Sequence, residues 1–519
     1  MPRKTRVPSS GGDISMQKTI DNASSSGWRQ HPHLYQIHTW AWLDQLSQQA
    51  GRNLQLIDVP DTEWDRIQAL GFDFVYLLGI WQRSIAGRYL FRTDAKAFRV
   101  FDHALPGWTM ASVIGSPFSI QDYVPDARLG DWAQLDAIRE KLRVRGMRLM
   151  LDFVPNHTGP DHVWIAQHPE YFLQGSETDY QQDPAAFHLI EGSADQLQFI
   201  ARGRDPYFAP WADTAQIDYA SSATRAALVA TLRTISDHCD GLRCDMAMLV
   251  LNDIFNKTWA TLLQGRSLPA EEFWPTAITA VRPDFVWMAE VYWDMEWRLL
   301  QLGFNYTYDK RLYDRLETAV PHEIRAHLQS DSAYQSHMAR FLENHDEPRS
   351  AKTFGHARIP SLVALLATLP GLRFFHQGQF EGKALHLPMP LNAAAEEEPD
   401  LALVQLYAKI LAITNQPVFH QGEWKLLTVD PDSDQSHQQL IAYDWRLDEE
   451  YRLVVINLAG ETAQGRIKVA DDLAPASIYS LHDLLDDQTY LRERDDMQGK
   501  GLYVRLNAFC AHIFTISAA

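Results

Sequence analysis

The chain has 519 residues and a formal net charge of −19 at pH 7. A field of that sign repels phosphate backbones, which argues against nucleic acid as a partner. Hydrophobic residues make up 46% of the chain and charged residues 22%, a globular composition with room for one large α/β barrel and smaller additions. No run of about twenty apolar residues is present, so we expect no membrane span.

Residues 1–27 are rich in Ser, Gly and Asn and lack the apolar core of a secretion signal. We therefore expect a flexible N-terminal tail. The three cysteines, Cys239, Cys244 and Cys510, are too few and too irregularly spaced for a disulfide framework. These features favour a cytoplasmic location, and they leave the oligomeric state open.

Short apolar runs alternate with amphipathic helical patterns along most of the chain. The runs predicted as buried strands are 73–80, 147–154, 239–245, 284–291, 339–344 and 371–377. Apolar strands between helices indicate a parallel sheet that is covered on both faces. So many repeats favour a closed (β/α)8 TIM barrel over a doubly wound sheet. Neither GxGxxG nor GxxxxGK[ST] follows any of these runs, which argues against a nucleotide site.

Two stretches depart from this alternation. A long irregular segment rich in aromatic residues follows Val154, and loops of that length are uncommon unless functional. We predict a small inserted domain at 158–214, which divides the barrel into 28–157 and 215–415. Alternating strand patterns then predict a C-terminal antiparallel β domain, a β-sandwich, at 416–519.

Four predicted strands end in polar clusters, which read DFVPNHTG, GLRCD, AEV and ENHD. In a TIM barrel the carboxyl ends of the strands face the active site. The residues that would meet there are Asp152, Asn156, His157, Arg243, Asp245, Glu290, His345 and Asp346. One acid after a strand is commonly a helix cap, but four polar ends on one barrel favour a shared pocket.

Taken together, DFVPNH, GLRCD, WMAEV and ENHD resemble the four ordered motifs of the α-amylase family, glycoside hydrolase family 13. The barrel, an insertion after the third strand and a C-terminal β domain are also similar, so the resemblance covers about residues 30–519. It implies that Asp245 is the nucleophile and that Glu290 is the general acid and then the base. It also implies that Asp346 binds sugar hydroxyls and favours the distorted transition state.

The resemblance assigns supporting roles as well. Arg243 would keep Asp245 ionised, since residues two apart on a strand project to the same side. His157 and His345 would bind hydroxyls of the sugar. Asp152 and Asn156 would shape the end of their strand.

The stretch GSPFSIQDYVPD departs from the family pattern. Phe118 stands at the position of a stacking Tyr, and its ring still provides a stacking face. Ser119 stands where typical α-glucosidases carry an acid, which weakens an assignment to the ordinary exo-acting enzymes. Trp211 of the inserted segment is a candidate sugar platform, and Arg349 is a candidate for binding near the mouth.

We predict no cofactor and no obligatory calcium, although calcium binding stays open. Asn156 matches a calcium ligand of many amylases. However, Met246 and Met248 stand close to the positions where many endo-amylases carry a Lys-His pair, and no D-x-[DN]-x-[DN]-G loop is present.

The predicted function is a retaining α-glucoside hydrolase that acts on small α-glucosides or malto-oligosaccharides. It would proceed through a covalent β-glycosyl-Asp intermediate. The alternative is an α-glucosyl transferase or phosphorylase with the same intermediate. A barrel that only binds is disfavoured because all three acids are present.

Overall fold

The structure is a computed structural model that describes residues 29–191, 197–469, 473 and 475–519, so the tail predicted for 1–27 lies outside the described residues. Eight parallel strands form a closed barrel. They are β1 His33–His38, β2 Phe74–Leu78, β3 Arg148–Phe153, β4 Gly241–Cys244, β5 Val286–Ala289, β6 Tyr306–Tyr308, β7 Met338–Arg340 and β8 Leu372–His376. β8 closes the barrel by pairing in parallel with β1. The predicted TIM barrel is confirmed, with β1 and β6 as strands that the sequence patterns missed.

Amphipathic helices surround the barrel because each has an apolar stripe to bury. The main ones are Thr39–Ala50, Asp61–Ala69, Trp132–Arg143, Ser222–His238, Asn252–Leu263, Phe273–Thr279, Lys310–Thr318, Pro321–Leu328, Ile359–Thr368 and Leu401–Thr414. Several begin at a side-chain cap: the Ser221 hydroxyl, for example, accepts a hydrogen bond from Thr224 N–H. Within the described residues, no helix combines the length and the apolarity needed to cross a bilayer.

The connection after β2 carries two further helices, Ile85–Thr93 and Ala95–Ala104. The short strand Trp81–Arg83 precedes them, and it pairs antiparallel with Ile120–Pro125. This excursion matters for the site because it delivers Phe118 to the top of the barrel.

An insertion follows β3, as predicted. It contains the helices Val163–Gln167 and Glu177–Gln182. A three-stranded antiparallel sheet joins Gln174–Gly175, Phe187–Glu191 and Leu197–Ala201. At its base, His157–Thr158 pairs antiparallel with Ala215–Gln216. The limits of this domain at 158 and 214 stay predictions.

The C-terminal part is antiparallel β structure, as predicted. One sheet has six strands: Glu423–Leu427, Leu440–Leu447, Glu450–Asn457, Ala511–Ala518, Ile478–Asp483 and Thr489–Glu493. A second sheet joins Val429–Asp430, Ala463–Ile467 and Leu502–Leu506. Trp445 anchors the six-stranded sheet to the barrel, since its indole Nε1–H donates to Thr368 O at 2.7 Å. The boundary at 416 and the β-sandwich assignment stay predictions.

Candidate active site

Three acids converge on the fully buried side chain of Arg243, which extends from β4. Nη1 of the guanidinium lies 2.6 Å from Asp245 Oδ1. Nη2 lies 2.8 Å from Glu290 Oε2 and 3.7 Å from Asp346 Oδ2. One planar group therefore lies within 4 Å of three carboxyls from three strand ends.

The backbone at the strand ends fixes where these acids lie. Asp245 N–H donates to Phe153 O at 2.8 Å, and Glu290 N–H donates to Cys244 O at 3.0 Å, which extends the barrel pairing to both acids. The next residue, Met246, adopts a left-handed conformation with φ 41°. Its N–H then donates to Glu290 Oε2 at 2.7 Å. Such conformations are costly for residues other than glycine and concentrate at functional sites.

Glu290 lies in surroundings that keep a proton on it. Glu290 is 4% exposed. Burial raises the pKa of Glu290 to about 7 against the attraction of Arg243, and repulsion from Asp245 and Asp346 adds to the rise. Against this rise, the Tyr292 hydroxyl donates to Glu290 Oε1 at 2.9 Å and favours the ionised form. An acid with these properties can donate a proton at neutral pH.

Asp346 has the opposite tendency. Its side chain is 40% exposed, and Oδ2 lies 3.0 Å from His345 Nε2. Desolvation works against its charge, but His345 and Arg243 outweigh that effect and lower the pKa of Asp346 to about 2. His345 is itself held by Gln36, whose Nε2 lies 2.8 Å from His345 Nδ1. Gln36 lies on β1, and sequence analysis missed it.

Phe118 lies over the charged centre of the site. Its ring is 5.2 Å from the Arg243 guanidinium and 5.4 Å from the His345 ring. Ser119 points elsewhere, since it is buried and its hydroxyl donates to Asp213 O at 2.6 Å. Phe118 is therefore placed at the pocket as predicted, with no acid beside it at position 119.

His157 lies close enough to Asp245 to interact with its charge. Burial lowers the pKa of His157 to about 4, against the opposing effect of Asp245, so the ring is neutral at neutral pH. Trp211 packs against it with ring centroids 5.3 Å apart. The structure therefore brings His157 and Trp211 to the same side of the pocket.

Two predicted binding residues have structural partners instead. Asp152 is fully buried and accepts hydrogen bonds from Tyr76 Oη–H and Gly79 N–H. This supports its predicted role in shaping the strand end, but it gives Asp152 no free oxygen surface for a sugar. Arg349 Nη1 lies 2.7 Å from Glu343 Oε1 in a buried ion pair, so its charge is neutralised within the protein, and its role near the mouth stays a prediction.

The surroundings of Asn156 do not fit a calcium ion. Gln216 Nε2 donates to Asn156 O at 2.9 Å, to Asn156 Oδ1 at 3.2 Å and to Ile217 O at 3.1 Å. The amide hydrogens of Gln216 thus occupy the centre of the oxygen atoms that a hard cation would need.

A cavity of about 660 Å³ is lined by Met246 and Tyr292, both of which hydrogen-bond Glu290, and we call it the acceptor cavity. Its lining includes Met246, Tyr292, Trp293, Phe208 and Lys310. Lys310 Nζ is neutralised by Asp314 and by Glu347, which lies 3.1 Å away. The cavity therefore combines aromatic faces with paired charges.

Comparison with known proteins agrees with this geometry. The family model described as the alpha amylase catalytic domain matches residues 65–398. The alpha-amylase MalA of Haloarcula japonica is 22% identical over 386 residues, which are 72% of this chain and 47% of the relative. Alpha-amylase 3 of Dictyoglomus thermophilum is 22% identical over 48% of this chain and 50% of the relative. The chain thus spans about half the length of the curated relatives it matches.

Among solved structures, the maltogenic alpha-amylase AmyB of Thermotoga neapolitana has a TM-score of 0.67 at 20% identity. The match covers 94% of this chain and 99% of that one. At this identity the likeness establishes the fold alone.

Proposed function

Because this chain belongs to the α-amylase family, we propose that it is a retaining α-glucoside hydrolase that acts on small α-glucosides or malto-oligosaccharides. One observation supports this proposal above the others. Arg243 gathers Asp245 and Glu290 in one pocket, where Glu290 has a raised pKa. Retaining cleavage needs such a pair, one acid to attack and one to donate a proton.

In the first step an Asp245 carboxylate oxygen attacks the anomeric carbon and forms the glycosyl ester. The bond from that carbon to the leaving oxygen breaks, and the Glu290 proton passes to that oxygen. In the second step Glu290, now ionised, takes a proton from water while the water oxygen attacks the anomeric carbon. The ester bond to Asp245 breaks, and both carboxyls return to their starting states.

Other residues act on the sugar rather than on the bond. The ionised Asp346 and the His345 that contacts it would bind ring hydroxyls and favour the distorted transition state. His157, neutral at neutral pH, can donate or accept a hydrogen bond from its place near Asp245. Phe118 offers an apolar ring face to the sugar.

The second candidate function is α-glucosyl transfer, in which a sugar hydroxyl replaces water on the glycosyl ester. The acceptor cavity of about 660 Å³ favours it, since that space exceeds the needs of a water molecule. Phe208 is 72% exposed there, as a stacking face for a sugar would be. Phosphate is an alternative acceptor: Lys310 and Arg311 of this cavity pair with acids, whereas Arg315 contacts Arg311 O and His327 Nδ1.

The test uses α-glucosyl fluoride, a donor whose small leaving group makes few demands on the acceptor side. Fluoride release would be measured with and without maltose or phosphate, and the products would be separated by chromatography. Free glucose supports hydrolysis, and a new oligosaccharide supports transfer. Asp245→Asn should reduce fluoride release by at least 10³-fold, whereas the remote control Asp65→Asn should retain it.

A 5-fluoroglucosyl fluoride trap then tests the intermediate. A mass increase of one fluoroglucosyl group on the peptide that contains Asp245 is expected. A wild-type protein that releases no fluoride and traps no sugar would overturn the proposal.

A further inference from the structure

A small polar well lies behind His345, at the ends of β1, β7 and β8. Its volume is about 30 Å³, which is enough for about two groups the size of a water molecule. The residues that define this histidine well are His38, His345, His376, Gln377 and Lys383. Its described lining contains no aspartate or glutamate.

His38 presents a buried donor to this well. It is 4% exposed, and its Nδ1 accepts from Ala41 N–H at 3.4 Å as the N-cap of helix Thr39–Ala50. Because Nδ1 is the acceptor, the ring proton of neutral His38 lies on Nε2. Within the part of the chain that the structure describes, Nε2 is buried without a partner. Buried polar atoms in native proteins are nearly always satisfied, so a ligand atom or a water is expected there.

His376 presents a second such atom from the adjacent strand, β8. It is 5% exposed, and its Nδ1 is also buried without a partner among the described residues. Two histidines from neighbouring strands, each with an unpartnered ring nitrogen, therefore line one well. Together they can both donate to and accept from a single hydroxyl group.

The two histidines add no charge to the well, and its volume of about 30 Å³ suits a hydroxyl group better than a larger anion. Burial lowers the pKa of His38 to about 3 and that of His376 well below its ordinary value, so both rings are neutral at neutral pH. Arg349 also lines the well, but Glu343 neutralises it. Lys383 is the remaining cation among the lining residues.

The well and the acceptor cavity are separate spaces that share no lining residue. The leaving group must face Glu290, and the acceptor cavity beside that acid is lined by Met246 and Tyr292. The well is instead lined by Asn344 and His345, which precede Asp346. A glycone, meaning the ring attacked by Asp245, would thus turn its edge remote from the anomeric carbon toward the well.

We propose that the histidine well binds one hydroxyl of that remote edge, at C4 or C6, and that His38 and His376 determine which glycone is accepted. This inference rests on the proposed function. A site built to hydrogen-bond a hydroxyl discriminates strongly against an analogue without it, because its own buried polar atoms are then left unpaired.

The experiment compares kcat/KM for α-glucosyl fluoride with that for its 4-deoxy and 6-deoxy analogues. We expect wild type to prefer the parent donor over one of the two analogues by at least about 10²-fold. In His38→Asn that preference should fall by about tenfold, the size of one hydrogen bond. Asparagine is a good N-cap, so this variant keeps the cap and removes the Nε2 donor. His376→Asn should reduce the preference for the same hydroxyl.

Two control variants separate the loss of the helix cap from the loss of the Nε2 donor. His38→Ala removes both functions, and Ser221→Ala removes the cap of a different helix. Ser221→Ala should lower the melting temperature without changing the preference. An equal loss on parent and deoxy donors in His38→Asn would assign His38 a structural role and overturn the inference.

A binding readout distinguishes this inference from the proposed function. Calorimetry with 1-deoxynojirimycin and its analogue without the hydroxymethyl group measures glycone recognition without turnover. If the hydroxyl is at C6, the difference in Kd between them should shrink in His38→Asn. If the protein releases fluoride but does not prefer the parent donor over the deoxy analogues, the role of the histidine well is wrong and the proposed function stands. Absence of both release and binding would overturn both. A preference for 6-phosphoglucosyl donors would contradict the inference that the well binds a neutral hydroxyl.

Discussion

Arg243 and Glu290 are in contact at 2.8 Å although burial raises the pKa of that glutamate to about 7. Burial outweighs this contact because the one guanidinium is shared among three acids. The same guanidinium already binds Asp245 at 2.6 Å and lies 3.7 Å from Asp346. One of the three acids has to carry a proton, and Glu290 has the least exposed side chain of them, at 5% against 9% for Asp245 and 40% for Asp346.

Replacing Arg243 should therefore damage both activity and stability. Arg243→Lys keeps one charge but lacks the planar fork that binds two carboxylates, so kcat should fall by about 10²- to 10³-fold. Arg243→Leu leaves the acids without a buried partner and should cost about 3–5 kcal/mol in the free energy of unfolding. Steady-state kinetics and urea unfolding measure the two effects. A lysine variant with wild-type kcat would contradict the shared role of this guanidinium.

The pH profile of kcat/KM should report Glu290 on its alkaline side. The acid works protonated, so activity should fall as the pH rises through about 7. Tyr292→Phe removes a donor that stabilises the ionised form, which should move this limb to higher pH. The exposed Tyr89 supplies the control: Tyr89→Phe should leave the limb in place. An unmoved limb in Tyr292→Phe would argue against Glu290 as its source.

The barrel was predictable where its strands are apolar. β2 reads FVYLL, and such a run is recognisable without a structure. β1 reads HLYQIH, which has no apolar run, and is nevertheless buried throughout. Gln36 contacts His345, which lies 309 residues further along the chain. β6 has three residues, which is too short for a periodic pattern.

The site was predictable where position on a strand end determined it. Asp245, Glu290 and Asp346 meet because their strands are parallel and end at one face of the barrel. The ion pair of Arg349 with Glu343 was not predictable, because these two side chains meet only in the folded chain. Gln36 was missed for the same reason as β1.

A buried histidine cluster beneath the barrel should make the fold acid-sensitive. The rings of His33 and His420 lie 4.9 Å apart, with Arg373 Nη1 3.3 Å from His33 Nε2. Burial lowers the pKa of His420 to about 2, with Arg373 and Arg29 adding to it, and burial lowers that of His33 well below its ordinary value.

The unfolded chain protonates these histidines below about pH 6.5 while the native state does not, so the unfolded state binds more protons there. Stability is full above that pH and falls as the pH drops, by up to about 1.4 kcal/mol per pH unit for each ring. Urea unfolding at pH 7.5, 6.5 and 5.5 measures this. His420→Gln should reduce the slope, whereas the exposed His322→Gln should not. Equal stability at pH 7.5 and 5.5 would contradict the cluster's role.

Chelation should leave the wild-type protein unchanged, because Gln216 Nε2 supplies hydrogens where a calcium ion would need oxygen ligands. The melting temperature in EDTA and in calcium should agree. Gln216→Glu would add a carboxylate oxygen beside Asn156 O and Oδ1 and Ile217 O, a set that suits calcium. This variant should melt lower in EDTA, where its oxygens repel one another, and recover in calcium. Wild type and Gln216→Glu, which differ by an amide and a carboxylate of equal size, thus test whether calcium can bind beside Asn156. A wild type that loses stability in EDTA would show that the Gln216 amide does not occupy the calcium position.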